Sequence, residues 1–241
     1  KLIGNIKKRL SYQNIGFEIG PLINSSGRIS KANDVVELFL AKNDDKIDTI
    51  INKINSHNIT RKKIEKENLN LIDINEFNNK NVIFIFNKKF HEGIIGIIAA
   101  KLSQKLNKPC FVLTQSHNLL KCSVRSQNNI KINKIINKLI TNKLIISGGG
   151  HDEAGGFSAN KERLSDIKRF INKEYKDLDT KENSYFDAFA IFPKSHSLII
   201  NDLKSLEPFG KDNPEPIFYF KNIKSIKSKI INDRHVQNIF K

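Results

Sequence analysis

Methionine is absent from all 241 residues, and so is tryptophan. Translation starts on methionine, so the sequence is expected to be a portion of a longer product or a processed one. Cysteine occurs only at Cys110 and Cys122, each in an apolar run. Two thiols make neither a disulfide framework nor a metal site, and a reducing, cytoplasmic setting is the expectation. No apolar run approaches the roughly 20 residues of a membrane span. No signal peptide opens the chain, so no membrane association is expected. Acid is scarce as well: 25 Asp+Glu stand against 41 Lys+Arg, a formal charge of +16. Such a field attracts polyanions, nucleic acid among them. Lys, Asn and Ile crowd the whole chain, but the excess is uneven: +4 over residues 1–80, +9 over 81–180 and +3 over 181–241.

What is present reads in three stretches. "IGFEIGPLINSSGR" is punctuated by Gly16, Gly20, Pro21 and Gly27 and ends on Arg28; it reads as a loop leading into a helix. From Lys31 to about Asn70 the apolar spacing is helical, with a second, strongly charged helix beginning near His57, and two polar-faced helices of this kind suit a connector between compact parts. From Asn81 strands and helices alternate, which predicts an α/β domain. The strands are 82–86, 110–114, 119–126 and 156–160. The helices are 91–107, 130–140 with Ile132, Ile135, Ile136, Leu139 and Ile140 buried, and one capped by Asn160 that buries Leu164, Ile167, Phe170 and Ile171. In 119–126, Leu120, Cys122 and Val124 face one way, and Lys121, Ser123 and Arg125 the other. Residues 177–184 read as a linker. Residues 185–241 look mostly β, with a helix near 196–206 and a turn at "EPFGKDNPEP".

The chemistry concentrates in the middle stretch. "ISGGGHDEAGG" strips side chains from the backbone around one imidazole. The bare amides of Gly148, Gly149 and Gly150 predict a phosphate-binding loop, with His151 as proton or hydrogen-bond donor. Ser123 and Arg125, two residues apart on a strand's polar face, make a candidate phosphate clamp, because arginine binds phosphate bidentately. Arg28 is a third anion contact. His91 opens a helix with Gly93 and Gly96 one turn apart, small residues that let a helix N-terminus approach another backbone or a ligand; it is a candidate substrate contact or a structural histidine. Asp152 and Glu153 beside His151 are too few for a hydrolytic metal site, and His57, His117, His196 and His235 lack ligand spacing. A complete metal site is not expected in this chain.

The motifs "IGFEIGPLINSSGR", "NITRKKIE", "FHEGIIGIIAAKL…KPCFVLT", "SVRS", "GGGHDEAGGFS" and "LEPFGKDNPEPIF" resemble, in order, the RecJ-type single-stranded-DNA-specific exonucleases of the DHH/DHHA1 superfamily. "GGGH…AGG" marks any DHHA1 domain, whereas "HEGIIGI" and "PFG…NPEP" are specific to the RecJ type. The resemblance implies an α/β DHHA1-like domain over 81–176. Before it come the end of a DHH domain and connector helices over 1–80, and after the linker a β-rich OB-like domain, cut short, over 185–241. It implies that the glycine–histidine segment and the "SVRS" strand, Ser126 included, hold a DNA backbone. It also implies a 5′→3′ exonuclease of DNA repair and recombination, using Mn2+ or Mg2+ bound by a DHH domain. No Asp-His-His occurs here, and "SSGR" stands where "AAGR" is more usual. The chain is therefore expected to be the single-stranded-DNA-binding portion of a monomeric enzyme, inactive alone. A non-catalytic nucleic-acid-binding module and a DHHA1-type oligonucleotide phosphodiesterase are the alternatives.

Overall fold

A computed structural model describes residues 11–127, 130–176, 185–190, 196–210, 212–231 and 235–240. The chain divides into two compact units, residues 1–182 and 183–241. The linker expected at 177–184 lies outside the described residues.

The first unit opens with helix where a loop was expected. A π-helical segment, Asn14–Ile19, runs into α1 (Gly20–Ile29). Pro21 falls in the first turn of α1, where its missing N–H removes no helical bond. The Ser25 hydroxyl donates to the Leu22 carbonyl at 2.6 Å. Next come α2 (Asn33–Leu40) and α3 (Asp44–Asn70), a single helix of 27 residues. The break falls at Ala41, which turns extended (ψ 131°), and not near His57. Asn43 sets it: its Oδ1 accepts from the N–H groups of Asp45 (2.8 Å) and Lys46 (3.3 Å), and Asp44 and Asp45 lie in the positive first turn. Leu38, Ile50, Ile51 and Ile54 join these helices in a small core.

The α/β part is a five-stranded sheet in the order β1-β2-β3-β5-β4. Its strands are β1 (Ile83–Phe86), β2 (Cys110–Ser116), β3 (Leu119–Arg125), β4 (Ser147–Gly150) and β5 (Ala154–Asn160). β1 and β2 are parallel, crossing over through α4 (Ile95–Leu106), and the remaining pairs are antiparallel. On one face, α5 (Ile132–Thr141) and α6 (Leu164–Glu174) pack Ile132, Ile135, Ile136, Leu139, Ile167 and Ile171 against Phe111, Leu120, Cys122, Val124 and Phe157. Each such side chain, fully buried, contributes about 1.5–3 kcal/mol. On the other face, Ile98, Ala99 and Leu102 of α4 cover Ile83, Cys110 and Val112. The two cysteines are free and buried on opposite faces. Burial pushes both thiols well above the ordinary range, which suits inert packing groups.

Three further expectations change. Ile140 is 43% exposed, because the apolar stripe of α5 ends at Leu139. Asn160 makes no side-chain cap; a 3-10 turn, Lys161–Arg163, intervenes before α6. Gly148, Gly149 and Gly150 form no loop: they lie in β4, paired with Phe157, Gly156 and Gly155. Packing requires glycine at Gly148 and Gly150, though not at Gly149. A Cβ at Gly148 would sit 2.8 Å from the Phe157 Cβ and 3.1 Å from Ile136, and one at Gly155 would sit 2.5 Å from the Ile136 Cδ1.

The second unit holds β6 (Ala188–Ala190), α7 (His196–Ser205), β7 (Phe218–Phe220), β8 (Ser225–Ile231) and β9 (His235–Phe240). β6 and β7 pair parallel, β8 and β9 antiparallel. The turn after α7 contains a cis Glu207–Pro208 bond, and Asn213 Nδ2 donates to the carbonyls of Leu206 (2.8 Å) and Pro208 (3.0 Å). Phe186, Phe189 and Tyr219 form an exposed aromatic cluster, with ring centroids 4.7–5.7 Å apart, and Lys221 Nζ stands 4.5 Å over Phe189.

Candidate nucleic-acid interface

Register assembles the site. Residues directly opposite in a sheet point to the same face. Three rows run across it: Thr114–Lys121–Ser158–Ser147, Val112–Ser123–Gly156–Gly149, and Cys110–Arg125–Ala154. Helix α4 covers the β2 end of these rows. Beyond it, these rows present Lys121, Ser123, Arg125, Ser158, Gly156, Ala154, Ser147 and Gly149, and a fourth row, Ser116–Leu119–Asn160, lies at the hairpin end. Within the first three rows no apolar side chain beyond the helix is larger than that of alanine; Leu119 stands in the fourth. The result is a shallow trough floored by backbone and rimmed by cations. Gly149 has nothing within 4 Å of its would-be Cβ, so its side of the strand is open. From Gly93 to His151 the sequence has no Asp or Glu and nine Lys or Arg.

The closed end of the trough is built by α4. Thr114 Oγ1 donates to the Phe90 carbonyl at 2.7 Å and fixes the turn that precedes the helix. His91 lies in that turn, not in the helix: its Nδ1 accepts from the Gly93 N–H at 3.1 Å. The neutral ring then carries its proton on Nε2. A side chain at Gly93 would collide with the Arg28 carbonyl oxygen, and Arg28 Nη1 donates back to the Gly93 carbonyl at 3.1 Å. One turn on, a Cβ at Gly96 would lie 3.1 Å from Ser123 Oγ and 3.5 Å from Arg125 Nη2. The two glycines therefore let the positive end of α4 settle between Arg28 and the β3 pair.

Arg125 donates to its neighbours Ser123 Oγ (3.3 Å) and the Val124 carbonyl (2.8 Å). Burial, and then the positive charge of Arg28, lowers its pKa from the ordinary arginine value. It stays cationic at neutral pH. Among the described residues neither guanidinium has a carboxylate partner. Two half-buried like charges without an anion are unfavourable, and an anionic ligand between them removes the repulsion.

Arg28, His91, Ser123 and Arg125 thus gather at one end of the trough. Gly149 lies along its floor, and Gly148 and Gly150 belong to the strand's packing. His151 is exposed in the turn that closes β4 on β5, its N–H donating to the Ala154 carbonyl at 2.8 Å. Ala154 is the register partner of Arg125, so His151 stands two strands away, about 10 Å. Ser126 points inward: it is 2% exposed, and its hydroxyl donates to the Ile130 carbonyl at 2.8 Å. It belongs to the joint between the hairpin turn and α5, and this removes it from the anion contacts. Lys121, whose Nζ donates to Ser158 Oγ at 3.0 Å, joins the rim; its alternation with Ser123 and Arg125 was the signal for it. Among the described residues no group of three or more His, Cys, Asp or Glu converges on a metal position, and Asp152 accepts from Asn133 at 3.0 Å. These residues do not fit a metal centre. No described helix is long and apolar enough to cross a membrane.

Comparison with known proteins gives this geometry a family. Residues 79–177 match the DHHA1 domain, and residues 191–241 match the RecJ OB domain. The single-stranded-DNA-specific exonuclease RecJ of Haemophilus influenzae is 25% identical over 226 residues, which cover 88% of this chain and 39% of that protein. The Bacillus subtilis RecJ is 23% identical, covering 98% of this chain and 31% of the relative. The chain therefore spans about a third to two fifths of these relatives. Crystal structures of Thermus thermophilus RecJ with Mn2+ and with Mg2+ superpose with TM-scores of 0.85 and 0.86, at 21% and 20% identity. They cover 95% and 99% of this chain and 35% and 38% of theirs, and they share its fold. The chain thus carries a DHHA1 domain followed by a RecJ OB domain, and over nearly its whole length it is similar to the corresponding part of RecJ-type exonucleases.

Proposed function

We propose that this chain is the strand-gripping portion of a single-stranded-DNA-specific exonuclease, acting 5′→3′ in DNA repair and recombination. The observation that carries this is the Arg28–Arg125 pair, uncompensated by acid among the described residues, at the head of a trough floored by Gly156, Ala154 and Gly149. A phosphate between the two guanidinia, with Ser123 and the first turn of α4 beside it, would be the anchored end of the substrate. The sugar–phosphate backbone would then run over Gly156 and Gly149 towards His151. In the second unit, Phe186, Phe189, Tyr219 and Lys221 offer rings and charge for base stacking. Hydrolysis in the parent protein would use Mn2+ or Mg2+, as bound in the Thermus structures, on ligands outside this sequence; the chain alone would cleave nothing.

Fluorescence anisotropy with a 5′-phosphorylated oligothymidylate tests the grip. Arg125→Ala should weaken binding and reduce the salt slope by about 0.7, one single-strand phosphate. An unchanged slope would mean that Arg125 does not touch the backbone. Turnover of the oligonucleotide by the isolated chain with Mn2+ would overturn the division of labour.

Adjacent glycines supply an internal control. Gly148→Ala drives a methyl into Phe157 and Ile136 and should cost about 1–3 kcal/mol of stability. A Cβ at Gly149 meets no neighbour, so the melting temperature of Gly149→Ala should hold while the added methyl, standing in the trough, weakens oligonucleotide binding. Equal effects of the two substitutions on binding would show that the trough is not the path.

A further inference from the structure

The far edge of the sheet carries a feature that the DNA-gripping reading does not use. β1 is an edge strand, paired on one side with β2 and with no second strand neighbour among the described residues. Ile83 N–H donates to Pro109 and Asn87 N–H to Leu113, so the odd-numbered residues face β2. The main-chain N–H and C=O groups of Phe84 and Phe86 therefore face outward. Natural edges of this kind are usually covered or charged. This one instead borders a groove of about 510 Å3 whose apolar wall includes Phe77, Phe84, Phe86 and Leu164. Phe86 is 37% exposed. Lys80 and Lys168 stand at the rim against a single acid, Glu76, and Lys80 Nζ lies 5.0 Å from the centre of the Phe77 ring.

We infer that this edge is a docking site for an extended peptide segment of another protein, with apolar side chains at alternate positions and carboxylates between them. An open strand edge selects main chain that can supply N–H and C=O in alternation, which nucleic acid cannot. The aromatic wall takes the apolar side chains of one face of the added strand. The two lysines select acid between them. A second copy of this chain is a poor occupant, because two bodies of +16 repel.

The probe is a labelled, end-blocked hexapeptide, Val-Asp-Val-Asp-Val-Asp, titrated with the whole chain and read by anisotropy. Saturable binding is expected, weakened about tenfold by the exposed double reversal Lys80→Glu with Lys168→Glu, since opposed charges set specificity at such rims. Methylating the peptide's alternate amide nitrogens should abolish binding, because strand addition needs those N–H groups. The Val-Lys counterpart should not bind. Oligothymidylate affinity should be the same for wild type and the double reversal. The inference fails if no saturation is reached, or if the N-methylated peptide binds equally well. It also fails if the double reversal weakens the oligonucleotide and not the peptide, or if it abolishes self-association in sedimentation, which would seat a second copy on the edge.

Discussion

Glu65→Ala is expected to cost about 3–5 kcal/mol, read as a shift in the urea midpoint at an unchanged slope. Glu65 and Arg61 lie on α3 at 6% and 9% exposure. Arg61 Nη1 donates to Glu65 Oε2 at 2.8 Å, while Asn58 Oδ1 accepts from Arg61 Nε (3.1 Å) and Nη2 (3.0 Å). Lys101 of α4 pairs with the other carboxylate oxygen. Removing the carboxylate strands a buried guanidinium on one amide oxygen and releases the link from α3 to α4. The penalty comes from the charge left behind, so Arg61→Met combined with Glu65→Met should recover most of it. A single-substitution loss below about 1 kcal/mol, the range of an exposed pair, would mean that water reaches the network.

The second large effect falls on binding. Arg28→Ala with Arg125→Ala should weaken oligothymidylate binding about 100-fold at low salt, since hydrogen bonds to charged groups contribute about 1.5–3 kcal/mol each. The salt slope should fall by about 1.4, two single-strand phosphates. The single substitutions should not add, because losing one cation relieves the other. Full affinity in the double variant, with its melting temperature retained, would move the anchor elsewhere.

Much of this architecture is legible in the sequence where one period dominates. The alternation of 119–126 gave the two faces of β3, and the apolar spacing of 95–102 gave the buried side of α4. Boundaries set by single polar atoms are not legible in that way: the Asn43 cap divides α2 from α3 inside one continuous apolar pattern. Glycine misleads for a different reason. A run of it reads as a loop because it lacks a Cβ, yet at Gly148 the lack serves close packing and at Gly149 it leaves a surface bare. Only register separates the two. The nearness of Arg28 to Arg125, 97 positions apart, follows from a carbonyl–glycine contact at Gly93 that no periodicity encodes. Contiguity in "SVRS" groups Ser126 with its neighbours, although alternation turns it inward.

Arg28 also bears on where this domain begins. The DHHA1 match starts at residue 79, fifty-one positions after the arginine that is bonded to Gly93. A protein cut at the conventional border would keep the sheet, its core and one guanidinium, but lose the other jaw of the clamp. A phosphate held between the two guanidinia, as proposed, would be captured jointly by this fold and the helical stretch upstream. Affinities measured on a trimmed domain would describe half a binding site.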